Sequence, residues 1–257
     1  MQPVNWDIVV PLALVASFFG FMALELLRPA RRAMPQVPHW RLIGTAGFAV
    51  TMLVYAGGPA LVVPLVSAIH AVDLSGWGGW AAIPVVVLTT FFTYWSHRLQ
   101  HRYDLLWRMG HQLHHGLARV DTASAFIFHP VDVFIQTFWT VLAGALLGVS
   151  ADAAGLAGIS GAWIAIYQHW NIDTPAWTNW IIQRPEAHML HHEFNVHARN
   201  FGDMPVWDML FGTYANPSRA DDVRVGFAPE AMRRWVAMVM MVDVNRAQGQ
   251  DRGRERL

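Results

Sequence analysis

Between His97 and His115 the chain reads His97-Arg98-Leu99-Gln100-His101, then nine residues, then His111-Gln112-Leu113-His114-His115, so five histidines fall within nineteen residues. The later pattern returns as His188-Met189-Leu190-His191-His192. A neutral imidazole ligates a metal through whichever ring nitrogen lacks a proton. On a helix, positions i, i+3 and i+4 share a face. Each H-x-x-H-H is therefore expected to direct three imidazoles one way, and H-x-x-x-H to direct two. Eight rings exceed the roughly four ligands of one tetrahedral zinc. They suit two metal ions in a nitrogen-rich site. His129, just before Pro130, and His169, just before Trp170-Asn171, are expected to act as further ligands or to orient ligands. His197, five residues past the last box, is evenly balanced between ligand and bystander. His39 and His70 stand apart and read as ordinary interfacial residues.

The donor set narrows the chemistry. Cysteine is absent, which removes thiolate ligands and cysteine-bound iron–sulfur clusters. Zinc, copper and iron all accept imidazole. Two redox-inert zinc ions need neither so many ligands nor a lipid setting. Two irons in an all-nitrogen shell can activate dioxygen and attack an unactivated C–H bond, and lipid substrates give that chemistry a reason to sit at a membrane. Soluble di-iron bundles use glutamates with Glu-x-x-His pairs, and no Glu-x-x-His occurs here. Carboxylates are instead expected behind the imidazoles, holding their orientation. Asp104, Asp121, Asp132, Glu186, Glu193 and Asp208 are the candidates, although a carboxylate taken singly is more often a solvated charge or a helix cap.

The elements that must position these groups are apolar. Hydrophobic residues make up 54% of the chain and charged residues 14%, with 13 tryptophans, against about 25% charged in soluble domains. An integral membrane protein is the better class. The zero net charge argues against a nucleic-acid partner. Apolar runs cover 8–27, 42–69, 78–96, 131–149 and 153–170, each near the twenty residues of a spanning helix. Gly57-Gly58-Pro59 and Pro64 interrupt the second, which reads either as one kinked span or as a hairpin dipping into the bilayer. No run after 171 is long enough to span, and the charged segment from about 244 to 257 is expected to fray. The first run has no basic segment before it and no small-residue cleavage site after it, so it is expected to be retained.

All eighteen basic residues are arginine: four in 28–41, four in 97–130, ten in 171–257 and none in 1–7, 70–77 or 150–152. With five crossings, the positive-inside rule puts the N-terminus outside and the C-terminus, with every histidine box, in the cytoplasm. A re-entrant 42–69 would leave four crossings and split the arginine segments between the two sides. Trp77, Trp80, Trp95, Trp163, Trp170, Trp177 and Trp180 near the span ends read as an interfacial belt. The expected architecture is all-α: one domain over 1–257, with four to five transmembrane helices, five preferred, and a helical cytoplasmic cap holding a di-metal site, as in a bacterial inner-membrane protein.

In order and spacing these residues resemble the fatty acid hydroxylase / sterol desaturase superfamily of integral-membrane di-iron oxygenases. The likeness covers about 90–240. His97 to His101 is similar to its first H-R-x-x-H box and His111 to His115 to its second. Phe128-His129-Pro130 resembles its His-Pro element, His169-Trp170-Asn171 its H-x-N element, and His188 to His192 its third box. Asn200-Phe201-Gly202 is close to Asn-Tyr-Gly, and Trp207-Asp208 with Phe211-Gly212-Thr213-Tyr214 matches W-D-x-x-F-G-T-[YF]. The chain departs from the pattern at Arg184-Pro185, where Thr-Pro is usual, at Met189, where the third box usually has Arg, at Ile127-Phe128, where Arg often precedes His-Pro, and at Asp132, where Glu is usual. None of these removes a ligand.

The resemblance implies metal ligation by His97, His101, His111, His114, His115, His129, His169, His188, His191 and His192. It implies two iron ions, which zinc can replace in a preparation, and O2 as co-substrate. The substrate is a membrane lipid, fatty acyl, sterol-like or other, that is hydroxylated or desaturated with electrons from a separate electron-transfer protein. Arg98, Arg108 and Arg199 could meet a lipid phosphate or carboxylate, or serve structurally. Two rival readings stand beside this one. A membrane zinc hydrolase would act through metal-activated water, without O2 or reductant. A metal-binding or transport protein would favour ionisable residues inside several spans, and the span interiors here carry almost none.

Overall fold

The computed structural model describes residues 4–244; apart from its first residue, the segment expected to fray lies outside the described residues. Three helices are long and apolar enough to cross a membrane: α1 (Trp6–Leu27), α2 (Trp40–Val66) and α3 (Ala82–Arg102), the last led in by a 3-10 turn over Ser75–Ala81. Two further helices complete the bundle. α6 (Pro130–Leu146) is apolar but only 17 residues long, and α7 (Ala151–His169) has 19 residues and falls short of that combination of length and apolarity. Of the five runs expected to span, three therefore have the length and composition to do so. The run expected to kink or re-enter is one continuous helix that contains Pro59 and Pro64.

Helices suit this sequence because a lipid-facing backbone must satisfy its own N–H and C=O groups. Leu12, Leu53 and Leu61 stay more than 60% exposed on the outer faces of α1 and α2, as side chains facing lipid would. Inside, α3 packs between α6 and α7, α2 lies against α6, and α1 against α7. Phe18 of α1 stacks on Phe48 of α2 at 4.3 Å, and both meet Phe126 edge-on.

The two ends of the bundle are built differently. At one end, Ala71 and Val72 donate to the Leu146 carbonyl and Leu74 to that of Leu147. Gly148 turns there at φ +56°, where a Cβ would stand 2.8 Å from the Val72 oxygen, so only glycine fits. The other end carries every histidine box. There Glu25, near the end of α1, accepts the Thr122 N–H at 2.8 Å, the Thr122 hydroxyl at 2.7 Å and the Asn171 N–H at 3.1 Å. The stretch 97–130, expected to be a polar cap, is partly sunk into the bundle. Residues 120–127 are all buried among α1, α2 and α7. Gly44 of α2 lies so close to Ala123 that a Cβ there would overlap its carbonyl oxygen and its Cβ.

Candidate metal centre

His97 and His101 lie one turn apart at the end of α3. The chain then continues through α4 (Asp104–Leu106), a π turn over Trp107–His111, and α5 (Gln112–His115). The wider π turn brings Gly110 against α6. A Cβ on Gly110 would stand 2.9 Å from that of Asp132, so the missing side chain lets His111 reach the Asp132 carboxylate at 2.9 Å. His169 ends α7. α8 (Pro185–His191) starts on a proline at its first position, where the missing N–H costs nothing, and presents the third box. The C-terminal segment, with α9 (Pro229–Met232) and α10 (Trp235–Val239), is tied to α5 through Gln112, which donates to the Val242 carbonyl and accepts the Val244 N–H, both at 2.9 Å.

Nine histidines converge into two adjacent groups. His97, His101, His111, His115 and His191 form one, and His114, His169, His188 and His192 the other. Within each group one nitrogen per ring lies within 4.8 Å of all the others. The rings of His115 and His192 stack at 4.3 Å across the boundary. Each H-x-x-H-H box is thus divided: its first and last histidines serve one group and its middle one the other. This corrects the expectation of three imidazoles pointing one way. At about 100° per residue, positions i and i+4 lie about 40° apart, while i+3 and i+4 are a full 100° apart.

Hydrogen bonds fix which nitrogen faces inward. Nδ1 of His97 donates to the Phe201 carbonyl at 2.7 Å, that of His191 to Arg199 at 2.9 Å and that of His169 to Ala165 at 2.7 Å. Nδ1 of His188 meets Oε1 of Gln183 at 2.6 Å, and the Gln183 amide nitrogen is committed to the Asn200 and Gly202 carbonyls, which sets its orientation. Gln100 holds the other oxygen of Asp132 at 2.9 Å. With Nδ1 protonated, Nε2 offers a lone pair. Nε2 of His169 and His188 lie 3.2 Å apart, and Nε2 of His115 is 3.0 Å from those of both His111 and His191. Such lone pairs repel unless a cation lies among them. Nitrogens about 2.1 Å from a shared metal are about 3.0 Å apart at right angles and about 3.4 Å at tetrahedral angles, so the donor set fits metal ions. Burial, with the neighbouring imidazoles adding to it, holds His114, His115, His188, His191 and His192 well below the usual histidine range. They are neutral and competent to ligate.

His129 joins neither group. Its Nδ1 accepts the Val131 N–H at 3.2 Å and caps α6, and its Nε2 donates to the Val239 carbonyl at 3.1 Å. Both of its ring nitrogens have protein partners, whereas the other nine histidines expected as ligands converge. His197 lies beside the five-histidine group, its ring 5.2 Å from that of His101 and 5.1 Å from that of His115. His39 and His70 lie away from both groups, as expected: His39 precedes α2, and His70 is exposed near the Ala145 carbonyl.

Of the six carboxylates, Asp132 touches one of the clustered histidines, His111. Asp208 acts one step removed, accepting the backbone N–H groups of Phe201 and Gly202 and the Thr213 hydroxyl. Asp104 pairs with Arg108, Asp121 with Arg119 and Trp40, Glu186 with Arg184, and Glu193 with Arg199. Arg98 lies on Tyr94 and Trp95. The orienting groups that residue types could not reveal are Gln183 and three backbone carbonyls, because a carbonyl has no sequence signature.

Comparison with known proteins agrees with this geometry. The family model described as fatty acid hydroxylase matches residues 82–213. The chain is 29% identical over 161 residues to ornithine lipid hydroxylase OlsE of Rhizobium tropici, covering 60% of this chain and 47% of that protein. It is 29% identical over 145 residues to the putative Delta(7)-sterol-C5(6)-desaturase 2 of Arabidopsis thaliana, covering 53% and 49%. It is 26% identical over 132 residues to the alkylglycerol monooxygenase of Homo sapiens, covering 48% and 28%. The chain spans about half the length of these relatives or less. No solved structure matches.

Proposed function

The chain belongs to the fatty acid hydroxylase family, and from that premise we propose that it is a membrane-embedded di-iron oxidoreductase that uses O2 to hydroxylate or desaturate a lipid. The observation that carries this is the convergence of nine imidazoles into buried groups of five and four. Five nitrogen donors around one position exceed the four of tetrahedral zinc and suit an iron of higher coordination. The ligands are His97, His101, His111, His115 and His191 for one iron, and His114, His169, His188 and His192 for the other. Bound there, the irons supply O2 activation and the oxidising power for C–H cleavage. The protein's part is orientation and exclusion of water. Asp132, Gln183 and the Phe201, Ala165 and Arg199 carbonyls hold the rings in place, and the buried walls keep bulk water from the reacting atoms.

Electrons come from a separate donor protein. α1, α2, α3, α6 and α7 are five crossings, and the arginine-bearing histidine end faces the cytoplasm, in accord with the positive-inside rule. In the test, cells expressing the chain are grown under oxygen-18 and their lipids analysed by mass spectrometry. A lipid gaining labelled oxygen, or losing two hydrogens, only when the intact chain is present is the expected result. His114→Ala should abolish it together with metal binding. Full product formation by His114→Ala would overturn the assignment.

A further inference from the structure

α10 is apolar on both sides. At about 100° per residue, Trp235, Val236 and Val239 lie within about 100° of one another, and Ala237 and Met238 fall on the opposite side. Met238 is buried with Trp107 and Phe227, and a Cβ on Gly116 would stand 2.7 Å from its sulfur. The outer side is bare. Trp235 is 62% exposed and Met240, just past the helix, 70%, with Val236, Val239 and Val242 between 39% and 53%. A helix covering a water-facing cap carries polar residues outward. A contiguous exposed apolar face instead marks a contact surface.

Its position, charge and size select one occupant. His129 immediately precedes α6, and its Nε2 donates to the Val239 carbonyl at 3.1 Å. The face therefore stands level with the histidine end of a bundle helix, where the bundle leaves the hydrocarbon for the headgroups, the depth that an indole favours. Arg233 and Arg234 lead into α10, and among the described residues neither pairs with a carboxylate. Between residues 233 and 257 six arginines stand against three acids. An excess of cations beside an apolar face matches an anionic lipid surface. Five apolar side chains fall far short of the roughly 20–30 residues a side of a stable protein interface, which argues against a second copy of the chain.

We propose that residues 233–242 form a foot lying in the plane of the bilayer surface at the histidine end. Trp235, Val236, Val239, Met240 and Val242 enter the boundary between headgroups and acyl chains, and Arg233 and Arg234 meet anionic lipid phosphates. Gln112 ties this segment to α5, so the foot also holds the helix that carries His114 and His115 against the membrane. The proposal needs a membrane-spanning bundle and does not depend on the reaction proposed above.

The chain has no cysteine, so a single introduced one carries a nitroxide without background. Val236→Cys, Met240→Cys and, as an exposed polar reference, Asp222→Cys are labelled in the full chain and placed in nanodiscs of phosphatidylcholine with one quarter phosphatidylglycerol. Electron paramagnetic resonance compares collisions with O2, which concentrates in lipid, and with a water-soluble nickel chelate. The ratio of O2 to nickel collisions at positions 236 and 240 is expected to exceed that at 222 several-fold. It should fall at least about twofold in phosphatidylcholine alone, and equally when Arg233→Gln and Arg234→Gln are combined. Ratios at 236 and 240 no higher than at 222, or indifferent to phosphatidylglycerol, would overturn the proposal. So would labels shielded from both reagents and broadened by each other in discs holding two chains, the signature of a second copy on this face. Val236 and Met240 are both exposed, so neither label displaces a buried side chain, and should one variant fail to fold the other decides.

Discussion

The two histidine groups are neighbours built to different specifications. The five-membered group draws on α3, the π turn, α5 and α8, and His97 and His101 are only half-buried. The four-membered group draws on α5, α7 and α8, and all its members are buried. Asp132 and two loop carbonyls orient the first; Gln183 and the Ala165 carbonyl of α7 orient the second. α5 and α8 feed both groups, whereas α3 and α7 each feed one. The lesson is that the two boxes of three are not two metal sites. Each is shared across the pair, and the bundle helices decide which group is complete.

The largest expected effect breaks that asymmetry. His169→Ala leaves three imidazoles in the smaller group and should take iron from about two per chain to about one. His101→Ala leaves four in the larger group and should retain both irons at lower affinity. Elemental analysis after dialysis against a graded chelator checks the pair, and equal losses would erase the distinction. Next come the orienting residues. Asp132→Asn should weaken only the five-histidine group, and Gln183→Leu only the other, each by roughly 10–100-fold in metal affinity. Gly110→Ala, which pushes on Asp132, should imitate Asp132→Asn more mildly.

Acid gives a broader, smaller effect. Unfolded histidines protonate below about pH 6.5, while burial keeps His114, His115, His188, His191 and His192 neutral in the folded chain. Their folded values are depressed, so their contribution to stability is present above the unfolded value and lost as pH falls below it. Metal-stripped protein should lose unfolding temperature steadily from roughly pH 7 to pH 5 in scanning fluorimetry. A flat profile would contradict burial of neutral imidazoles. The smallest effect is expected of His39→Ala, which should leave metal content unchanged because His39 touches neither group.

The convergence of nine of the ten histidines expected as ligands was legible because each sits in a helix or at a helix end, where spacing maps onto direction. Which group each joins was not. Sharing a face is a coarse statement, and the 100° between His114 and His115 is wide enough to divide them between two sites. His129 stands apart from the groups because the proline after it marks a helix start, and its side chain caps that helix. The burial of 120–127 was hidden for a related reason: Asp121, Thr122 and Ser124 look solvated in sequence, yet they are satisfied by Glu25, Trp40 and one another. Spans one to three were plain from their length, whereas the sequence runs at 131–149 and 153–170 form the shorter α6 and the less apolar α7.

The central claim is that the two groups hold a pair of irons. Its most direct test is metal content with Mössbauer spectroscopy on protein from iron-57-fed cells, with and without dithionite and O2. Close to two irons per chain, spin-coupled when oxidised and reoxidised by O2 after reduction, is the predicted result. Two zinc ions and no iron from iron-rich cells, with hydrolysis of a lipid that needs neither O2 nor reductant, would contradict it.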